Sequence, residues 1–230
     1  MNALKWIAVL AVGGLVSACS VAPSDITAPD AERVTAKQSA SNVAPQQTGE
    51  IATASALVVA PNYRINAIAV EVPAELEVSE RNSYYPGADI VWREDPIGDR
   101  HAQVRAIVEA GMRRGAQDIR GDIPVNLEVE VERFHALTEK ARYTIGGVHA
   151  ITFKMQLRDP ASGQLVQEPK RVFADLDAFG GVQAIRAENQ GITQKVRITG
   201  HLAEVLKREM NLPEGHKNAS LGLIQVLNKF

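Results

Sequence analysis

The sequence predicts an α+β fold, a two-layer sandwich in which two helices lie on one face of a mostly antiparallel sheet. Apolar and polar residues alternate over 125–131 and over 151–157, which is typical of strands with one buried face. Apolar residues recur every three or four positions over 99–114 and over 192–210, which is typical of amphipathic helices. The predicted order is therefore a strand, a helix, a meander of three strands and a final helix.

The folded domain is predicted over 61–213 and begins with a strand over 63–73. Proline ends this strand at position 73, and its alternating apolar residues are Ile68, Val70 and Val72. A long connection over 74–98 follows, with a turn signal at Tyr84-Tyr85-Pro86-Gly87 and a candidate short strand over 89–93. Connections of this length are uncommon in compact domains and are often functional.

Two helices are predicted from their apolar faces and their end signals. The first runs from its N-cap Asp99 to about Arg114, and Gly115 stops it. Its apolar face carries Val104, Ile107, Val108, Gly111 and Met112. The second precedes Pro213, and its stripe carries Val196, Thr199, Leu202, Ala203, Leu206 and Met210. Residues 214–230 form a C-terminal tail, for which a docking segment and a frayed end both remain open.

The meander between the helices is predicted as strands over 125–137, 151–157 and 169–179, with a turn over 159–163. Two glycine pairs lack the sequence context of a phosphate-binding loop and are interpreted as turns: Gly146-Gly147 and Gly180-Gly181.

A row of carboxylates lies on the polar face of the first meander strand, at Glu128, Glu130 and Glu132. Such a cluster could hold a cation or act in general-acid chemistry. The neighbouring strand, however, carries Lys154 and Arg158 on its own polar face. Cross-strand ion pairs therefore explain all of these residues without a functional site.

The first 18 residues have the features of an export signal. Lys5 precedes an apolar run over 6–16, which is shorter than the roughly 20 residues of a bilayer span. The alternative, a buried core helix, is weakened by two glycines within the run. Residues 19–60 are rich in small and polar residues up to about Gln47, which predicts a lipidated N-terminus and a flexible tether.

The only cysteine, Cys19, directly follows Leu15-Val16-Ser17-Ala18. This string resembles the lipobox of bacterial lipoproteins. The resemblance implies cleavage before Cys19, a diacylglyceryl group on its sulfur, and acylation of the new amino terminus, for example by palmitate. Several acyl chains hold a protein stably on a membrane. By the same resemblance, a residue other than aspartate directly after the cysteine implies transfer to the outer membrane. Position 20 is Ser20, so we expect an outer-membrane lipoprotein that faces the periplasm.

Composition and motifs argue against several kinds of chemistry. The formal net charge of −2 and the lack of a Lys/Arg cluster exclude nucleic acid as a partner. Scattered histidines and a single cysteine predict no metal site and no cofactor. No Gly-x-Ser-x-Gly or Ser-x-x-Lys string occurs, so we expect a protein that is not an enzyme. A hydrolase with a dispersed triad is the alternative, and it needs a nucleophile and an acid beside His101 or His149.

The long connection holds the candidate partner-binding residues Tyr84, Tyr85, Trp92 and Arg93. Aromatic and arginine side chains carry much of the binding energy at protein interfaces. For Trp92 a second interpretation has equal weight, in which its ring closes the open end of the sandwich as part of the core.

Most of the mature chain resembles an uncharacterised family of small proteobacterial lipoproteins known only as a domain of unknown function. The resemblance rests on the lipobox, the tether, the strand Ile68-Ala69-Val70-Glu71-Val72-Pro73, and a helix and meander with the turn Asp159-Pro160-Ala161-Ser162-Gly163. It implies no known activity. We expect a lipid-anchored accessory or scaffold subunit that binds another envelope protein, which predicts an exposed apolar and aromatic patch near Trp92. The alternative, a small lipid- or glycan-binding module, predicts an enclosed cavity beneath the helices.

Overall fold

The computed structural model describes residues 62–217. These contain six strands and four helices in the order β1 (Tyr63–Glu71), β2 (Ile90–Val91), α1 (Arg100–Ala116), β3 (Ile123–His135), α2 (Glu139–Arg142), β4 (Gly147–Arg158), β5 (Leu165–Phe173), β6 (Leu176–Ala178), α3 (Gly181–Asn189) and α4 (Gln194–Asn211). The predicted α+β class is confirmed. The predicted signal peptide, Cys19 and the tether to residue 60 lie outside the described residues, as do residues 218–230 of the tail.

The sheet has the strand order β1-β3-β4-β5. Strands β1 and β3 are parallel and are connected through α1, whereas β3, β4 and β5 form the predicted antiparallel meander. The short β2 pairs with the last residues of β3, and β6 pairs with the first residues of β4. Both short strands extend the sheet at the same end, because the end of β3 lies beside the start of β4.

The last strand of the meander differs from the prediction, since β5 and β6 replace a single strand over 169–179. The break falls at Asp175, whose carboxylate accepts a hydrogen bond from the Ile151 N–H at 3.1 Å. A side-chain oxygen thus takes the position of a main-chain carbonyl in the ladder. The chain then continues as β6 along the first residues of β4.

Helices α1 and α4 form the predicted second layer and pack closely against each other. A Cβ atom on Gly111 would lie 2.7 Å from the Leu202 Cβ, and one on Gly115 would lie 2.7 Å from the Ala203 oxygen. The side chains between this layer and the sheet are fully or almost fully buried: Val104, Val108, Met112, Leu127, Val129, Val131, Phe153, Ile198, Leu202 and Leu206. Asp99 caps α1 as predicted, through a 3.0 Å hydrogen bond from the Ala102 N–H.

The opposite face of the sheet carries the predicted cross-strand ion pairs. Lys154 lies 3.2 Å from both Glu130 and Glu132, and Arg158 lies 2.8 Å from Glu128. The hydrogen bond from Arg158 holds the pKa of Glu128 below its usual range. Arg171 of β5 also pairs with Glu132 at 2.6 Å, so three cations on β4 and β5 neutralise the three carboxylates.

Two short helices, α2 and α3, were not predicted. α2 is a single turn, and the only buried residues of α3 are Ala184 and Ala187, so neither helix leaves an apolar stripe in the sequence. The first predicted glycine turn lies at the junction of the turn over 143–145 with β4, and the second is the start of α3, with Gly180 as N-cap. Gly146 and Gly181 have positive φ angles there. Within residues 62–217, none of the helices has the length and apolarity required to cross a bilayer.

Candidate functional site

The long connection between β1 and α1 is ordered by main-chain hydrogen bonds. Val78 forms a β-bridge with Ile90, and the Ser79 N–H donates to the Ile90 oxygen at 3.0 Å. The Glu77 oxygen accepts hydrogen bonds from the N–H groups of Asp89 and Ile90. These bonds close a loop over 79–89 and fix its two ends at β2.

Two arginines fasten this loop to both neighbouring helices. Arg100, at the start of α1 and only 4% exposed, donates to the Glu80 carboxylate at 2.6 and 3.1 Å. Arg93 forms ion pairs with Glu80 and with Glu139 of α2. The hydrogen bond from Arg100 keeps the pKa of Glu80 below its usual range. Arg93, predicted to bind a partner, thus holds the loop against α2.

Trp92 lies in the core, with no part of its side chain exposed. Its Nε1–H donates to Asp95 at 2.8 Å, and its ring packs edge-on against Phe134 with the centroids 5.9 Å apart. The pairing of β2 with β3 carries the chain inward at this point. The prediction that Trp92 contributes to an exposed patch is therefore wrong, and the core interpretation is correct.

Tyr84 and Tyr85, in contrast, stand on the surface at the tip of the loop, and Tyr85 is 58% exposed. Their backbone is held from both sides. Thr138 donates from its hydroxyl to the Ser83 oxygen at 2.8 Å, and His135 Nε2 lies 2.7 Å from the Pro86 oxygen. Burial lowers the pKa of His135, so its ring stays neutral and bound to this carbonyl. The tyrosines are thus presented by a fixed loop.

More exposed apolar side chains continue this surface beyond the tyrosines. Ile145 lines a shallow depression of about 20 Å³ together with both tyrosines. Gly180 packs so closely on the Ile145-Gly146 backbone that no side chain would fit there, and α3 begins at the next residue. We call this surface the apolar rim; its residues, each at least 38% exposed, are Tyr84, Tyr85, Tyr143, Ile145, Val182 and Ile185.

The sequence identified only the two tyrosines of the rim. Of the other four residues, Tyr143 and Ile145 come from the turn after α2, and Val182 and Ile185 come from α3. Neither segment has an apolar periodicity in the sequence. The one sequence feature that could have indicated these residues was the aromatic Tyr143 close to the glycine pair Gly146-Gly147. Nothing in the sequence indicated that this turn and α3 would meet.

The histidines named for a dispersed triad have other surroundings. His101 Nε2 lies 3.1 Å from the Leu76 oxygen. His149 is 1% exposed, and neither of its ring nitrogens has a hydrogen-bond partner in the described part of the chain. Neither ring is thus seen beside a nucleophile and an acid.

The described residues also bear on the ligand-binding alternative. The space between the helix layer and the sheet is filled by core side chains. A groove of about 490 Å³ lies over the opposite, charged face of the sheet and is lined in part by Glu128, Glu130 and Lys154. Because these charges pair with one another across the strands, the groove is not an apolar pocket for a lipid.

Comparison with known proteins gives one match that covers most of the chain. Residues 63–226 match the model of a family described as a family of unknown function, DUF6778. The match includes part of the segment that follows the described residues. No curated protein matches the sequence.

Several solved structures resemble the fold distantly. A candidate lipoprotein from Caulobacter crescentus CB15 has 16% identity and a TM-score of 0.31, over 46% of this chain and 79% of that one. PelC from Paraburkholderia phytofirmans, described as a dodecamer, has 11% identity and a TM-score of 0.30, over 65% of this chain and 88% of that one. Similarity at this level does not transfer a function.

Proposed function

We propose that this chain, which belongs to the family of unknown function DUF6778, is a lipid-anchored accessory protein of the cell envelope that binds another envelope protein through the apolar rim. The proposal includes no catalytic activity, no metal and no cofactor. It places the anchor at Cys19 and the domain on the periplasmic side of the outer membrane.

The observation that supports this proposal is that exposed apolar side chains of the rim are carried by a loop whose backbone is fixed by hydrogen bonds and ion pairs. Exposed apolar groups gathered at one place indicate an interaction surface, because monomeric proteins rarely expose large continuous apolar patches. The loop that carries Tyr84 and Tyr85 is fixed by Arg93, Arg100 and Thr138 before any partner arrives. The part of the rim on this loop is ordered in advance and loses little conformational entropy on binding, which favours affinity.

The rim is tested by crosslinking in intact cells, followed by isolation of the protein and mass spectrometry. We expect a defined envelope protein to be recovered with the wild type. In the double variant Tyr85→Ser/Val182→Ser its recovery should fall by at least about tenfold, since aromatic and apolar anchors dominate interface energy.

The matched control is Ile123→Ser/Leu165→Ser. These residues are comparably exposed, at 49% and 44%, but lie at the opposite end of the sheet, where β3 and β5 begin. Equal loss of the partner in both double variants would contradict the assignment of the rim. Recovery of the protein with a stoichiometric lipid or glycan instead of a protein would overturn the proposal in favour of the ligand-binding module.

The anchor is tested separately. Cys19→Ala should release the protein from the outer-membrane fraction or mislocalise it, because the acyl chains supply the attachment. Incorporation of labelled palmitate should disappear in the same variant. Retention of the variant in the outer-membrane fraction would show that something other than the lipid holds it there.

A further inference from the structure

Helix α3 is only weakly attached to the rest of the domain. Its buried residues are Ala184 and Ala187, which bury little apolar surface. Glycines with positive φ angles flank it, Gly181 at its start and Gly191 just after its end. Elements with few buried apolar contacts open at low free energy, and glycines accept the change in backbone angles that such opening requires.

A small, half-open pocket of about 10 Å³ lies beneath α3, which is room for about one water molecule, and both polar and apolar side chains line it. His149 of β4 lines it and is buried there without a hydrogen-bond partner for either ring nitrogen. A buried polar group is normally paired, because leaving it unpaired costs free energy. The free ring therefore indicates that a polar group belongs beside it.

Full charges surround the same pocket. Arg142 of α2 and Arg197 of α4 line it from opposite sides. Arg142 pairs with Glu94 and with Glu188 of α3. Arg197 stacks on Phe179, 3.6 Å from the ring centroid, and donates to the main-chain oxygen of Asp177.

Glu188 is the only one of these charged groups that α3 brings to the pocket. Glu94 does not line the pocket. It pairs with Arg142 and also accepts hydrogen bonds from the first N–H groups of α4 at 2.9 and 3.2 Å, so its position does not depend on α3. When α3 moves away, Glu188 leaves with it. The described lining of the pocket then holds two arginines and a neutral imidazole but no carboxylate. Arg142 keeps its ion pair with Glu94, and Arg197 keeps its contacts with Phe179 and Asp177.

We propose that α3 is a lid over a binding site for a small carboxylate ligand, and that Glu188 occupies this site as an internal carboxylate in the closed form. Arg142 and Arg197 bind the ligand carboxylate, and the His149 ring donates a hydrogen bond to it. A carboxylate is the expected class because its planar oxygens suit an arginine fork and because a carboxylate already fills the position. Tyr84 and Tyr85 do not line the pocket, but Tyr143 of the apolar rim donates to the Glu188 carboxylate at 3.2 Å, and the rim residues Val182 and Ile185 move with α3.

The test uses the full-length protein in detergent at pH 7 and constant ionic strength, with acetate as the probe. The ring signals of His149 are followed by NMR during the titration. In Glu188→Gln we expect a saturable shift of these signals, with an apparent affinity at least about tenfold above that of the wild type, because the internal competitor has lost its charge. Adding Arg197→Met to this variant should abolish the saturable shift.

The matched control is Glu204→Gln, which removes a carboxylate from the surface pair with Lys207 on α4. It should titrate as the wild type does. A Glu188→Gln variant that shows no saturable shift, or one equal to that of Glu204→Gln, would overturn the site. The lid has its own test in the wild type, where hydrogen exchange at the amides of α3 should be at least about tenfold faster than at those of α4. Equal protection of both helices would overturn the lid.

Discussion

Two regions of the domain are held by different forces. One is the helix layer of α1 and α4, and the other, the loop region, consists of the loop over 79–89 with α2 and α3. In the helix layer the contacts are apolar, and Gly111 and Gly115 allow the two backbones to approach. In the loop region the ties are ion pairs, with Arg100 on Glu80 and Arg142 on two carboxylates.

This difference predicts which region determines the stability of the fold and which region determines binding. Apolar burial is non-directional and stabilises the fold in proportion to the area removed from water. Buried ion pairs contribute little net free energy, because desolvation offsets the attraction, but they define positions sharply. The region that fixes the apolar rim and closes the polar pocket is the one built on such pairs. We therefore expect substitutions in the helix layer to change global stability and most substitutions in the loop region to act locally.

Trp92 is an exception to this division, because it belongs to the long connection between β1 and α1 that also carries the loop over 79–89, but its side chain lies in the core. Trp92→Ala should lower the free energy of unfolding by about 3–5 kcal/mol, as for other large buried aromatic side chains. Denaturant unfolding measures this change. Tyr85→Ala, at the exposed tip of the same segment, should change stability by less than about 0.5 kcal/mol. If Trp92→Ala left the free energy of unfolding nearly unchanged, Trp92 would have to lie on the surface, which would contradict its packing against Phe134.

The buried histidine predicts a dependence of stability on pH. Burial, aided by the charges of Arg197 and Arg142, lowers the pKa of His149 from 6.5 to about 3. Below the ordinary pKa the unfolded chain binds a proton that the folded chain does not bind. The free energy of unfolding therefore falls as the pH decreases from about 6.5 towards 3, by up to about 1.4 kcal/mol per pH unit for this group.

The contribution of His149 is isolated with His149→Phe, which keeps an aromatic ring in the pocket but cannot bind a proton. We expect the acid-side slope of unfolding free energy against pH to become shallower by about one bound proton. The remaining slope comes from other groups, among them His135 and His201, whose pKa values burial also lowers. An unchanged slope would mean that His149 is already open to solvent.

The same contrast explains what the sequence could predict. The helix layer and the meander leave periodic apolar patterns, and the carboxylates of β3 with the cations of β4 follow from strand pairing. The loop region leaves no such pattern, because its order depends on pairs far apart in sequence, such as Arg93 with Glu139. The burial of Trp92 likewise depends on the parallel pairing of β2 with the end of β3. Local periodicity does not contain that information.

The helix layer itself is tested at its closest contact. Gly115→Ala should destabilise the protein by about 1–3 kcal/mol, because the added Cβ meets the backbone oxygen and Cα of Ala203, which have no rotamer to change. Gly200→Ala in α4 is the matched control. Its Cβ would come no closer than 3.9 Å to the Arg114 guanidinium, so the better helix propensity should stabilise the protein by about 0.5–1 kcal/mol. Thermal unfolding of both variants distinguishes crowding from propensity.

The smallest changes in stability are expected when a capping threonine is replaced by alanine, once in the helix layer and once in the loop region. Thr193 caps α4 through the Val196 N–H, whereas Thr138 caps α2 and also donates to the Ser83 oxygen of the loop. Each Thr→Ala variant should lose about 1 kcal/mol, with the larger loss at Thr138 because Ser83 also loses its partner. The two variants should differ more in which amides exchange faster than in how much stability they lose. Hydrogen exchange over 79–89 should accelerate in Thr138→Ala alone, since only that hydroxyl connects a helix cap to the segment that presents Tyr84 and Tyr85. Acceleration of the same amides in Thr193→Ala would mean that the two regions unfold together and that the loop has no separate local stability.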